Sequence, residues 1–195
     1  MRSCKRPGSN PVTVEASLEA RAARGDRAAF SALMTATKSD LHRFIRRYVG
    51  EDEEAYDLVQ ETYASAWLAM HRYDPVRAFP TWLRAIALNK CRDWGRKRAV
   101  RRVVRGVMGL DAPEAMAVGE DRQEPEGRLD DQRRVATLDR ALTRLPDQLR
   151  AALILSALEG RSHAEIALIV GATPKAVETR IARARARLAE IVKPS

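Results

Sequence analysis

The sequence predicts an all-α protein made of two small helical domains joined by a flexible linker. Three observations lead there. Aromatic residues are only 5% of the chain while Ala, Leu and Arg abound, a mix that favours helix over strand. Apolar residues recur at three- and four-residue steps in both halves. Between the halves lies an acidic stretch, broken by Pro and Gly, in which that periodicity fails. A chain of 195 residues suits two small domains, and 45% hydrophobic residues are enough to fill their cores.

Residues 1–13 are polar, contain Pro and Gly, and are expected to be disordered. The first domain is expected over 14–102. Helical periodicity takes over from Glu15: Phe30, Leu33, Met34, Leu41, Phe44, Ile45 and Tyr48 form an apolar stripe up to Gly50, with a break expected near Ser39-Asp40. A second helix runs from about Asp52 to Met70 on the stripe Leu58, Val59, Tyr63, Ala66, Trp67 and Met70. His71 to Pro75 is a turn, because Pro75 pushes Asp74 out of helix and lacks an amide donor. A third helix starts near Pro80-Thr81 and buries Trp82, Leu83, Ile86 and Ala87, with Cys91 and Trp94 further along the same face. Helices of this kind share one small core.

Composition then shifts twice. From Lys90 to Arg105 eight basic residues face the single acid Asp93. From Asp111 to Asp131 acids dominate, interrupted by Pro113, Gly119, Pro125 and Gly127, so 103–131 reads as a linker. The second domain is expected over 132–195. Leu138, Leu142 and Leu145 give one helix; Pro146 opens the next, with Leu149, Leu153, Ile154 and Leu158 on its core side, and Gly160 ends it.

The sharpest local signal follows. Ser162-His163-Ala164-Glu165 fits a capping box, in which the serine side chain accepts from the Glu165 amide and the glutamate accepts from the Ser162 amide. Ile166, Ile169 and Val170 lie on one face, Ala167 is small enough for a close crossing, and Gly171 suits a left-handed turn. Thr173 is placed to cap a further helix with Pro174 at its first position. Val177, Ile181, Ala184 and Leu188 line its inner side, while Lys175, Glu178, Thr179, Arg183 and Arg187 stand opposite. Helix, glycine turn and a second helix with a cationic outer face is the arrangement that enters a major groove. Lys175, Thr179, Arg180, Arg183 and Arg187 are the expected DNA contacts, Arg183 at a guanine edge.

The net charge is +9, which makes a polyanion, nucleic acid ahead of membrane, the first partner to expect. Cys4 and Cys91 are too far apart to form a disulfide framework. No apolar run approaches a membrane span, and the basic start has no apolar segment after it, so a cytoplasmic protein without membrane insertion is expected. His42, His71 and His163 are scattered, with no Cys or His at metal spacing; there is no phosphate loop and no nucleophile elbow. Neither a catalytic site nor a metal or cofactor site is expected.

Taken in order, these segments resemble the extracytoplasmic-function (ECF) class of bacterial RNA polymerase sigma factors, from about Arg27 to Val192. Asp57-Leu58-Val59-Gln60-Glu61-Thr62-Tyr63, followed by Ala66-Trp67, resembles the segment of sigma domain two that docks on the coiled coil of the polymerase's largest subunit. The resemblance makes Asp57, Gln60 and Glu61 the expected polymerase-binding residues. Phe79 to Asn89 and Asp93 to Arg98 resemble the promoter-melting segments, which in the family engage the non-template strand of the minus-ten element with one base flipped out. Asn89, Lys90 and Arg92, with Arg96, Lys97 and Arg98, are the DNA contacts this implies, and the loop from His71 to Ala78 would pocket the flipped base. Leu145-Pro146 through Leu188 is similar to sigma domain four, which reads the minus-thirty-five element.

The family also implies core RNA polymerase, promoter DNA and an anti-sigma factor as partners, and a linker that threads toward the polymerase active site. One residue departs from its pattern: Glu178 stands where many members carry Lys or Arg ahead of the Ser or Thr of the recognition helix. The rival reading is a dimeric helix-turn-helix regulator that binds an operator without polymerase.

Overall fold

The computed structural model describes residues 17–107 and 137–193, and the regular elements among them are helical. The expected disordered segment 1–13 and all of the acidic linker beyond Val107 lie outside them.

The first unit opens with α1 (Leu18–Ala23), capped by the Ser17 hydroxyl, which accepts from the Ala20 amide at 3.1 Å. Gly25, at φ +92°, turns the chain, and Asp26 caps α2 (Arg27–Val49) by accepting from the Ala29 amide at 3.0 Å. That amide first, and then Arg21, hold the Asp26 carboxyl below its ordinary pKa. The break in this periodic stretch therefore falls at Gly25, and α2 runs unbroken through Ser39-Asp40, where a break was expected. Ser39 and Asp40 lie on its exposed face, while the Thr37 hydroxyl turns back to the Leu33 carbonyl at 2.7 Å and Leu41 resumes the buried stripe.

Gly50 ends α2 in the left-handed conformation, at φ +86°. The next helix, α3 (Asp52–Ala69), begins with Asp52, Glu53 and Glu54, acids that suit the positive end of the helix dipole. A 3₁₀ turn (Met70–Arg72) leads through the loop to α4 (Phe79–Val107). This helix continues through 103–107, residues expected in the linker; no proline follows Pro80 until Pro113 to interrupt it. Packing α2, α3 and α4 together buries Phe44, Ile45, Tyr48, Leu58, Met70, Leu83 and Leu88. Phe30 meets Trp67 at 5.0 Å between ring centroids, and the Tyr63 hydroxyl bonds with Thr37 at 2.8 Å.

The second unit holds α5 (137–143), α6 (Asp147–Leu153), a π-helical turn (Ile154–Leu158), α7 (His163–Val170) and α8 (Pro174–Val192). Its core gathers Leu142, Leu145, Ile154, Leu155, Ile166, Val177 and Ile181. Leu158, expected on the core side, is 39% exposed.

The two units are packed against each other, and their buried apolar residues form one continuous cluster. Among the described residues the seam carries five long-range polar contacts, one of them from Arg161 to the Thr81 hydroxyl at 3.4 Å. Arg46 reaches Asp139 at 2.7 Å, Arg84 binds Glu159 at 2.6 and 2.7 Å, and Arg92 meets Asp147 at 2.9 Å. Arg150 donates to the Tyr48 carbonyl at 2.9 Å and, within its own unit, to those of Thr143 and Leu145. Periodicity gives no warning of these pairs.

Candidate nucleic-acid interface

The helix-turn-helix is built by its caps. Both halves of the capping box are present: the Ser162 hydroxyl accepts from the Glu165 amide at 3.3 Å, and the Glu165 carboxylate accepts from the Ser162 amide at 3.0 Å. The Ser162 hydroxyl and amide hold the Glu165 carboxyl below its usual range. Gly171 takes φ +65° at the turn, and the Thr173 hydroxyl accepts from the Ala176 amide at 3.2 Å to start α8. Val177, Ile181 and Ala184 are buried against α6 and α7, which leaves Lys175, Thr179, Arg183 and Arg187 exposed on the outer face. Arg187 pairs with Glu190, and Arg183 makes no ion pair among the described residues. Arg180 is half-buried and faces the seam, beside Arg92 and Arg96.

Glu178 is not idle. Lys175 Nζ lies 2.8 Å from its carboxylate, and this hydrogen bond raises the lysine pKa and lowers that of the glutamate. The pair cancels one positive charge at the leading end of the recognition helix.

On α4 the expected contacts split by face. Asn89, Arg96 and Lys97 are exposed, with Arg96 paired to Asp93 one turn back. Lys90 lies 3.6 Å from Glu61 on α3. Arg98 turns the other way, pairs with Glu51 and sits 5.2 Å over the Trp94 ring, whose indole N–H donates to Glu54 at 2.7 Å. Arg92 faces the second unit. Burial first, then the neighbouring Arg96 charge, lowers its pKa, and burial raises that of Asp147. Desolvation thus works against the charge on both partners of this seam contact.

Asp57, Gln60 and Glu61 stand exposed on α3, above the buried Leu58, Val59 and Thr62. At the far end of that helix, Tyr73, Phe79 and Trp82 form an aromatic cluster with centroids 5.2 to 5.9 Å apart. Burial, with Glu19 and then Asp74 adding to it, pushes the Tyr73 hydroxyl up to about 12, so it stays protonated and donates to the Arg77 carbonyl at 2.5 Å. The loop from Tyr73 to Ala78 joins this cluster through Tyr73 itself, with Val76 almost fully exposed. Trp82 and Trp94 pack against the core at one edge and remain partly open at the other.

These surfaces hold cations, amides and aromatic edges, groups suited to phosphates and unstacked bases. Cys91, the buried thiol, is pushed by its surroundings to about 12 and is chemically quiet. No cluster of metal-ligating side chains occurs among the described residues, and no helix there is long and apolar enough to cross a membrane.

A basic, aromatic-bearing helical bundle carried with a capped helix-turn-helix defines a two-unit DNA-binding transcription factor. Residues 33–103 match the family described as Sigma-70 region 2, and residues 136–188 match Sigma-70, region 4. The chain is 34% identical over 183 residues to the RNA polymerase sigma factor NccH of Alcaligenes xylosoxydans, covering 94% of this chain and 97% of the relative. It is 35% identical to the sigma factor CnrH of Cupriavidus metallidurans, over 94% of this chain and 96% of that one. The ECF RNA polymerase sigma-E factor of Escherichia coli is 29% identical, over 89% and 92%.

Among solved structures, CnrH in complex with the cytosolic domain of CnrY superposes with a TM-score of 0.65 at 32% identity, covering 90% of this chain and 94% of that one. RpoE of Bartonella quintana, solved with the anti-sigma factor NepR, has a TM-score of 0.64 at 24% identity, over 84% and 96%, and shares the fold. The chain belongs to the sigma-70 family, in its ECF class. Sigma factors bind core RNA polymerase and promoter DNA and are transcription regulators rather than enzymes.

Proposed function

We propose that this chain directs promoter-specific initiation through three of its surfaces, and that it catalyses nothing itself. Asp57, Gln60 and Glu61 dock the polymerase. Asn89, Lys90, Arg92, Arg96, Lys97 and Arg98, with the loop that meets Phe79 and Trp82 through Tyr73, engage the minus-ten element. Lys175, Thr179, Arg180, Arg183 and Arg187 engage the minus-thirty-five element. The functional units are 14–102 and 132–195, joined by the acidic segment. The observation that carries this reading is that an acidic docking stripe on α3 and a cationic outer face on α8 stand exposed together in one chain.

The two promoter elements are named about 25 base pairs apart, roughly 85 Å of duplex at 3.4 Å per step. Units in direct contact cannot reach both, so the seam opens on the way to the promoter. The relative CnrH is solved in complex with the cytosolic domain of CnrY. By that likeness an anti-sigma protein holds this chain inactive in the cytoplasm until a stress signal releases it.

Run-off transcription with core polymerase, on promoters chosen by binding and sequencing, tests the reading. Initiation at discrete sites supports it. Tight binding of a palindrome by the protein alone, with no initiation, would give the rival operator-binding regulator instead.

A further inference from the structure

A cavity of about 370 Å³ opens between α2, α4 and the π-helical turn, at the small end of the range for ligand pockets. Four guanidinium groups line it: Arg43 and Arg47 from α2, Arg84 from α4, and Arg161 from the second unit. Two carboxylates share the wall, Asp40 and Glu159, and a third, Glu165, stands 3.6 Å from Arg161 Nη1, so four cations face three acids.

The disposition of those charges leaves unmet demand. Arg84 is 3% exposed; its Nε serves Glu159, but its Nη1, buried, has no acceptor among the described residues. A buried donor left unmade is costly, and a guanidinium nitrogen especially so. Arg161 also spends its Nε on Glu159, at 2.8 Å, and its Nη1 on Thr81 and Glu165, at 3.4 and 3.6 Å; Arg43 is taken by Asp40. Arg47 makes no ion pair among the described residues. Phe44, Ile154 and the half-open Leu158 give the rest of the wall an apolar character.

We propose that this cavity binds the phosphate group of a small phosphate monoester, with its organic body against Leu158. A phosphate monoester carries about −1.5 to −2 at neutral pH and three acceptor oxygens, which suit the Arg47 guanidinium and the forked donors of the arginines clustered beside it. The walls come from both units, so the ligand fits only the closed arrangement and stabilises it by mass action. Its effect on promoter binding rests on the reading of the chain given above; its binding does not.

The test is calorimetry on the full chain with phenyl phosphate, against malate and sulfate at matched ionic strength, and with Arg47→Gln as the variant that breaks no observed ion pair. One phenyl phosphate per chain, weakened about tenfold or more in Arg47→Gln, supports the site. A rise in thermal midpoint with the ligand in the wild type, absent in the variant, supports it independently. Equal binding by wild type and variant, several ligands per chain, no binding in the millimolar range, or preference for malate or sulfate would each overturn it. Run-off transcription without the ligand is expected to be the same for both proteins, so loss of the site and loss of sigma activity read out separately.

Discussion

Arg92 Nε lies 2.9 Å from Asp147 Oδ2, across the seam between the two units. The arginine is one of the expected minus-ten contacts, so the closed chain spends on itself a cation that it would offer to DNA. Desolvation opposes the charge on each partner, which leaves the contact weak enough to be exchanged.

Replacing Asp147 by Asn removes the partner without touching any residue proposed to meet DNA. The free protein is expected to open more readily and to bind a promoter fragment roughly two- to fivefold more tightly at low salt, the range of a partly exposed ion pair. Small-angle scattering together with a salt titration of binding checks this; unchanged dimensions with unchanged affinity would rule out the seam as a brake.

The docking face has its own signature. Asp57→Lys combined with Glu61→Lys is expected to abolish co-purification with core polymerase. Both side chains are exposed, and Glu61 gives up only its 3.6 Å contact with Lys90, so each change is expected to move folding stability by no more than about 1 kcal/mol. Retained co-purification of a folded double variant would place the docking face elsewhere.

On α8, Arg183→Ala is expected to cost about 1–3 kcal/mol of discrimination between promoter sequences if the guanidinium reads a base edge. Equal losses on every duplex would reduce it to a phosphate contact. Glu178→Gln releases Lys175 from its 2.8 Å pair and is expected to strengthen duplex binding with a steeper dependence on salt.

Gly50 and Gly25 make a matched pair of probes. Both have positive φ, but a Cβ at Gly50 would fall 2.8 Å from Thr143 Cγ2 across the seam, whereas one at Gly25 meets nothing within 4 Å. Gly25→Ala is expected to lose about 1–2 kcal/mol to backbone strain alone. Gly50→Ala is expected to lose that and to loosen the seam as well, since a β-branched neighbour yields poorly. Equal loss in urea melts of the two variants would mean that the seam adjusts freely at this point.

Cys91 supplies a pH test. Its thiol titrates near 12 in the fold against an ordinary value of 9.0, so folding favours the protonated form. Its contribution to stability is full below pH 9 and is lost as pH rises from there toward 12. In a Cys4→Ser background, iodoacetamide at pH 8 meets roughly one thiolate in ten thousand and is expected to label the folded protein hardly at all, but to label it readily in denaturant.

What was legible in the sequence was local. The capping box at Ser162, the left-handed Gly171 and the Thr173-Pro174 start are each contained within four residues, and each stands where its chemistry puts it. Helix continuity was harder. The polar Ser39-Asp40 resembles a break, but a long helix tolerates such residues on its solvent face when Thr37 and Leu41 hold the inner one. The division of α4's cations by face, and the seam itself, were out of reach. Arg46 and Asp139 are 93 residues apart, Arg84 and Glu159 are 75, and neither pair leaves a periodic trace.

The π-helical turn from Ile154 to Leu158 sets a rule about chain length rather than chemistry. Such a turn holds one residue more than an α turn. Deleting one residue within it would let regular helix re-form with the downstream register kept, whereas deleting one from the regular α6 ahead of it would swing everything downstream by about 100°. Glu159 would then leave Arg84, and the groove-facing helices would turn with it. Substitutions inside this turn, and loss of its one extra residue, are therefore a matter of volume, whereas a one-residue deletion in α6 would pull α7 and α8 out of step with the helix they pack on.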